Sequence, residues 1–219
     1  MMTGGVMDSQ KYRPLYHATG SWAAKPPASN VPAGFRYMLD GSDGWYGTFV
    51  AYSGYWWPVG GRLTLWDVGD LSAYTYSSTT EGLVSGLPSP VYPWSYLLNV
   101  PGAYLRGRIS ARVTASASTQ SRLLRLLWNA ADAAAMIALR NSNAAVNTWY
   151  ATGETAYRAT AGQHQVAISN TSAWSQLGVN ANTAPTTDGA IGVRAICGGA
   201  GETIVLQTGS VEYFAGMYA

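Results

Sequence analysis

Charge is what this chain has least of. Asp, Glu, Lys and Arg make up 11% of its 219 residues, against about 25% in an ordinary soluble domain. A net charge of +2, with both lysines (Lys11 and Lys25) near the start and no Lys/Arg run, excludes a protein held to nucleic acid through its phosphates. One cysteine, Cys197, excludes an internal disulfide framework and a Cys-based zinc site. Its apolar neighbours Ile191 and Ile196 fit a buried small residue better than a reactive thiol. No run of eighteen apolar residues occurs, so no membrane-crossing helix is expected. The opening MMTGGVMDSQKYRP lacks the basic head and apolar core of a secretion signal, which places synthesis in a cytoplasm. A chain of this length buries a core unaided, so no cofactor is expected.

Glycine (25 residues), tyrosine (15) and tryptophan (9) are plentiful instead. Many turn-formers and few charges point to β structure. They also point to self-association, because so few charges would leave a lone copy with large exposed apolar patches.

The stretch around which the chain is organised is 105–117, LRGRISARVTASA. Leu105, Gly107, Ile109, Ala111, Val113, Ala115 and Ala117 alternate with Arg106, Arg108, Ser110, Arg112, Thr114 and Ser116. Side chains alternate faces along a strand, so this spacing predicts a long half-buried antiparallel strand with three arginines on its wet side. A helix would scatter the same residues around its circumference.

Residues 1–30 hold Gly4, Gly5, Pro14, Pro26 and Pro27 without a sustained period and read as an extended arm. Tyr12, Leu15, Tyr16 and Trp22 would be its docking anchors; the alternative is a disordered terminus. Residues 31–65 read as a three-stranded meander (Phe35–Leu39, Tyr46–Tyr52, Tyr55–Val59) joined at Asp40-Gly41, Asp43-Gly44 and Ser53-Gly54. Its aromatic cluster of Trp45, Tyr46, Phe49, Tyr52, Tyr55, Trp56 and Trp57 is either core or a sugar-stacking platform. Alternation turns Trp45, Phe49 and Trp57 inward and leaves Tyr46, Tyr52 and Trp56 as candidates for glycan contact. Residues 66–92, rich in Ser, Thr, Gly and Pro, read as a linker with one strand at Ser72–Tyr76. Residues 93–219 read as an antiparallel β-sandwich, jelly-roll-like. Its strands are expected at Leu97–Val100, 105–117, Leu123–Trp128, Ala133–Leu139, Thr148–Tyr150, Gln165–Ser169, Ala190–Cys197, Thr203–Gln207 and Ser210–Phe214. The rival for 122–140 is a single helix, which Asn129–Asp132 would break. The fold class is thus all-β: arm, meander and sandwich.

Two stretches carry a resemblance. PAGFRYMLDGSDGWYGTFVAYSGYWWPVGGRLTL (32–65) resembles a short module of bacteriophage tail-fibre and related virion proteins, with its PAG-x-R start, Asp-Gly turn and G-x-W-x-PVGG exit. It departs from that module in carrying Trp56-Trp57 together and in the extra Tyr46. Pro101 and Gly102; Leu124, Leu126 and Trp128; Ile168, Asn170, Ser175 and Gln176; and Glu202, Thr203, Ile204, Leu206, Val211 and Glu212 follow the order and spacing of a second family. This is the trimeric β-sandwich domain of phage tail fibres and spikes, whose last motif is a hairpin. Arg122 stands where that family has Lys, and Asn129-Ala130 where it has Gly. The resemblance implies a homotrimer, contact with other virion proteins through the arm, host-surface attachment and a place on the virion. The lack of a long shaft keeps a head fibre or capsid decoration protein open.

Catalysis finds little support. Asp40 with Asp43 and Asp67 with Asp70 are the close acid pairs, and both lie in turn text where Asp serves the backbone. Neither pair is flanked by the alternating ligands that calcium needs, so no metal is expected. His17 and His164 are the two imidazoles, and no nucleophile elbow, phosphate loop or zinc-protease motif occurs. A non-enzymatic virion surface protein is the first expectation. The rivals are a carbohydrate-binding module and a glycan hydrolase or esterase using Asp40, Asp43 or His164.

Overall fold

A computed structural model describes residues 17–98, 100, 103–114, 122–128, 135–141, 148–158, 162–169, 174–176 and 187–215, with backbone alone from 135 to 176. The chain is all-β and forms two compact units, Met1–Val59 and Gly60–Ala219.

The first unit is a four-stranded sheet in the order β1 (Ala18–Gly20), β2 (Arg36–Asp40), β3 (Tyr46–Tyr52), β4 (Tyr55–Pro58). The three antiparallel strands are those expected from the text. Their connections follow from local chemistry. Asp40 accepts the Ser42 N–H (3.0 Å), and Gly41 and Gly44 take φ of +84° and +82°. Ser53 and Gly54 both have positive φ (49° and 79°), the I′ geometry that suits a two-residue hairpin.

The fourth strand, β1, corrects the expected arm of residues 1–30. It runs parallel to β2, and His17 extends the pairing, its N–H donating to Arg36 O (2.8 Å) and its Nδ1 accepting the Arg36 N–H (2.9 Å). A 3-10 turn at Ala28–Asn30 follows. Residues 18–30 fold back because the half-buried Trp22 finds Trp45 (ring centroids 5.5 Å apart) and Phe49 (5.2 Å). The earlier anchors Tyr12, Leu15 and Tyr16 lie outside the described residues.

The second unit contains β5 (Arg62–Val68), β6 (Thr75–Tyr76), β7 (Gly82–Leu83), β8 (Val91–Tyr92), α1 (Trp94–Leu97), β9 (Tyr104–Thr114), β10 (Arg122–Leu127), β11 (Ala135–Asn141), β12 (Thr148–Arg158), β13 (Gly162–Ser169), β14 (Trp174–Gln176), β15 (Gly189–Ala190), β16 (Gly192–Ile196) and β17 (Thr203–Phe214). A six-stranded sheet has the order β13-β12-β9-β17-β5, with β6 also on β17. A five-stranded sheet has the order β14-β11-β10-β16-β7, and β8 pairs with β15. Every pairing in this unit is antiparallel. β9 also lies close to β10 and β11 of the other sheet.

The organising strand behaves as its alternation predicts. On β9, Leu105, Gly107, Ile109, Ala111 and Val113 are buried, while Arg106, Arg108, Ser110, Arg112 and Thr114 face outward. β17 presents Ile204, Leu206, Val211 and Tyr213 to the same core. Each such side chain contributes roughly 1.5 to 3 kcal/mol when fully covered. Residues 115–117 lie outside the described residues.

Four expectations are corrected. Residues 66–92 are not a linker: β6, β7 and β8 each pair with the sandwich, and Leu71, Val84 and Tyr92 are buried in it. The meander ends at Val59 rather than Leu65, because Arg62–Val68 pairs with β17. Leu97–Val100 is not a strand. Trp94–Leu97 instead makes one helical turn, held where the Trp94 indole N–H donates to Gly189 O (2.7 Å) and its ring meets Trp128 (6.2 Å). Thr203–Gln207 and Ser210–Phe214 are one strand and not a hairpin. A bulge between Leu206 and Thr208 absorbs the extra residue, and the bare Gly209 admits the Trp66 ring, which a Cβ would meet at 2.4 Å. The helix rival for 122–140 is also settled, since β10 and β11 pair across it.

Candidate functional site

The aromatic cluster of the first unit divides between the two faces of its sheet. Tyr37, Leu39, Phe49, Ala51 and Trp56 share one face and are buried. Trp56, expected as an exposed contact, is 1% exposed; its indole N–H donates to Pro26 O (2.9 Å). The expected grouping of Phe49 with Trp57 is reversed: Trp56 stands opposite Ala51 on the face of Phe49, which the segment 21–30 roofs, and Trp57 stands opposite Val50 on the other face. Lys25 completes the roof, its Nζ 4.2 Å from the Trp22 ring centre and 5.0 Å from that of Trp56. Burial pushes the Lys25 pKa down from 10.5 to about 8.

The opposite face carries the exposed tyrosines. Tyr46 and Tyr52, the other two contact candidates, are 71% and 48% exposed. They stand at opposite ends of β3, roughly 20 Å apart, so they form no single platform. Tyr46 lies over Gly41, where a Cβ would meet its ring at 2.3 Å. Tyr52 instead pairs in register with the exposed Tyr55, whose ring stands edge-on to Trp57 at 6.3 Å. The Tyr52–Tyr55 pair at the hairpin tip is the aromatic contact this unit offers. Sequence reasoning placed Tyr55 in the cluster and missed it as a contact, although direct opposition follows from a two-residue turn.

The second unit offers the outer face of its six-stranded sheet. Here β9, β17 and β5 align Arg108, Ser210 and Asp67 in one row. The next row toward the C-terminal end of β17 holds Arg106, Glu212 and Thr64, and the last holds Tyr104, Phe214 and Arg62. In that last row Tyr104 stacks on Phe214 (4.6 Å, 3°), and the Arg106 and Arg62 guanidinium groups lie 5.2 Å and 5.7 Å from the Phe214 ring centre. Arg62 also pairs with Glu212. Above these rows a groove of about 290 Å³ is lined by Asp67, Val68, Arg108, Ser110, Thr208 and Ser210 among others.

Three of the four paired acids, Asp40, Asp43 and Asp70, serve the backbone. A hydrogen bond from the Ser42 side chain, and one from its N–H, hold the Asp40 carboxyl below its usual range; Ser72 does the same for Asp70. Asp43 accepts the Trp22 N–H. Cys197 is buried and its thiol reaches Tyr76 O (3.2 Å), with burial pushing its pKa up. His164 falls on β13, where the backbone alone is described. Among the described residues no group of three or more His, Cys, Asp or Glu side chains gathers, and no helix is long and apolar enough to cross a membrane.

Arg122 and Glu202, both fully buried, meet as a two-pronged pair. Arg122 Nε donates to Glu202 Oε2 (3.0 Å) and Nη2 to Oε1 (2.5 Å), while the Gly198 N–H also donates to Oε2 (2.8 Å). A guanidinium matches a carboxylate in this way and an ammonium does not.

No protein-family model and no curated protein matches the sequence. Among solved structures the chain is similar to the CBM2 module of the evolved Dit of Lactobacillus casei BL23 phage J-1. That likeness has 11% identity and a TM-score of 0.27 over 78% of this chain and 81% of that one, and it carries no argument about function.

Proposed function

We propose that this chain is a non-enzymatic bacteriophage virion surface protein of the tail-fibre or spike type. It assembles in the host cytoplasm, docks on the particle through residues at its N-terminal end, and projects a homotrimeric β-sandwich for attachment to a host-surface glycan. The observation that supports this most is that apolar residues of two separate motifs of the tail-fibre resemblance are buried in one unit: Leu124, Leu126 and Trp128 of the first, and Ile204, Leu206 and Val211 of the second.

Particles carrying a deletion of residues 1–16 test the docking, because the packed sheet begins at Ala18. The expected result is loss of the chain from purified particles while the isolated variant stays folded. Undiminished incorporation would contradict docking through this end. A stable monomer at micromolar concentration by light scattering would contradict the trimer. A carbohydrate-binding module without a virion role is the second reading, favoured by the exposed Tyr52–Tyr55 pair.

A further inference from the structure

One face of the five-stranded sheet sets two cations against each other. β10 and β16 pair with Arg125 directly opposite Arg194, in a row that continues to Ala138 on β11 and Leu83 on β7. Residues opposite each other on neighbouring strands have Cβ atoms about 5 Å apart, and like charges so placed repel. The next row adds a third arginine by register, since Arg140 stands opposite Leu123. Strand periodicity puts Leu123, Arg125 and Leu127 on one face of β10 and Arg122, Leu124 and Leu126 on the other. Leu123 and Leu127 are buried on either side of Arg125, and Ile196 is half-buried two residues from Arg194. The two arginines therefore rise from an apolar floor, where charges are screened less than in water.

Among the described residues one carboxylate reaches this row. Glu81, immediately before β7, has Oε1 3.1 Å from Arg125 Nη1, and both side chains are half-buried. Glu202 is engaged on the other face by Arg122, and the neighbouring positions Ala138 on β11 and Ser175 on β14 carry no charge. Glu81 offsets Arg125, so the row keeps the charge of Arg194. No carboxylate of the described residues pairs with Arg194, and its Nε is buried with no acceptor among them. A buried donor left without an acceptor costs free energy, and such atoms are commonly met by a bound water or ion.

A guanidinium presents a planar fork of donors that suits a carboxylate or a phosphate. An oxyanion lying across the row would accept from Arg194 and offset its repulsion with Arg125. A cation would find Glu81, which Arg125 already holds, and a neutral hydroxyl would accept a bond while leaving the surplus charge in place. We propose that Arg194, with Arg125 beside it, forms a subsite for one oxyanionic group, the carboxylate of an acidic sugar or the phosphate of a phosphate-linked glycan. The inference rests on the reading of the chain as a surface-attachment protein and names the chemistry that attachment would use. Leu83, exposed at the end of the row, offers apolar contact to the carbon skeleton that carries the anion.

Saturation-transfer NMR on the full chain tests it with two matched pairs at millimolar concentration, galacturonate against galactose and glycerol phosphate against glycerol. At least one acid should give a signal that its neutral partner lacks, and the stronger acid names the source, carboxylate or phosphate. Arg194→Gln should weaken that binding about tenfold, the loss of one charge-assisted hydrogen bond, and Arg194→Lys should restore only part of it. Glu81→Gln should strengthen it, because the competing carboxylate is gone, a gain that a merely structural role for Arg194 would not produce. Circular dichroism checks the fold of each variant. Equal signals from an acid and its neutral partner, no signal from either acid, unchanged binding in folded Arg194→Gln, or no gain in Glu81→Gln would overturn the site. Adsorption of the labelled wild-type chain to host cells, measured alongside, separates the two readings. Adsorption without acid binding removes this site and leaves attachment standing, and acid binding without adsorption does the reverse.

Discussion

Replacing Glu202 by alanine should be among the most damaging single changes in the second unit. The carboxylate takes two guanidinium N–H bonds and the Gly198 N–H, all fully buried. Removing one partner of a buried ion pair costs about 3 to 5 kcal/mol, because the remaining charge stays desolvated. For a unit of about 160 residues at roughly 2 to 4 °C per kcal/mol, the midpoint should fall by about 6 to 20 °C. The loss is a large part of a total stability of ~5 to 15 kcal/mol. The control is Arg62→Ala, which breaks a pair whose arginine side chain is 58% exposed and should cost under about 1 kcal/mol. Urea unfolding followed by near-ultraviolet circular dichroism reads both, since Trp94 and Trp128 pack in the same unit. Arg122→Met with Glu202→Leu should recover most of the loss, as apolar replacement removes both desolvation costs. If Glu202→Ala costs no more than Arg62→Ala, the buried pair is not what holds these two motifs together.

Three further outcomes follow from particular contacts. Trp56→Ala should destabilise the first unit by about 3 to 5 kcal/mol while Tyr46→Ala stays within ~0.5; comparable losses in thermal unfolding would contradict the burial of Trp56. Because burial lowers the Lys25 pKa from 10.5 to about 8, the unfolded chain holds a proton that the folded unit lacks between those values, and stability rises with pH across that window. Calorimetry should show the rise from about pH 8 to 10, before the titration of the buried Tyr37 at higher pH reverses it, and Lys25→Met should flatten it. Gly209→Ala should cost about 1 to 3 kcal/mol through its clash with the Trp66 ring, and a neutral result in urea unfolding would show that β17 yields there.

The long strand was legible because its alternation is nearly unbroken from Leu105 to Val113, and one face of it is buried as that alternation requires. The hairpin turns at Asp40-Gly41 and Ser53-Gly54 were legible because their backbones need residues that tolerate positive φ. What was not legible is non-local. β7 and β8 are two residues each, too short for a period, and only the end of the strand expected at Ser72–Tyr76 forms, as β6; all three exist because distant strands pair with them. Trp56, by contrast, was misplaced for a local reason: the two-residue turn at Ser53-Gly54 sets Tyr55 opposite Tyr52 and so Trp56 opposite Ala51, on the face of Phe49 that the chain from Ser21 to Asn30 covers. The groove is beyond sequence patterning because its rows join distant strands. Asp67, Arg108 and Ser210 meet through pairings between strands far apart in the chain.

The central claim is that this chain touches the host surface on behalf of a virus particle. Competition for adsorption tests it most directly: host cells are first coated with the purified full chain, then exposed to particles from the genome that encodes it. The account predicts saturable coating and a matching fall in particle adsorption. Particles that adsorb equally well to cells saturated with the chain would contradict it.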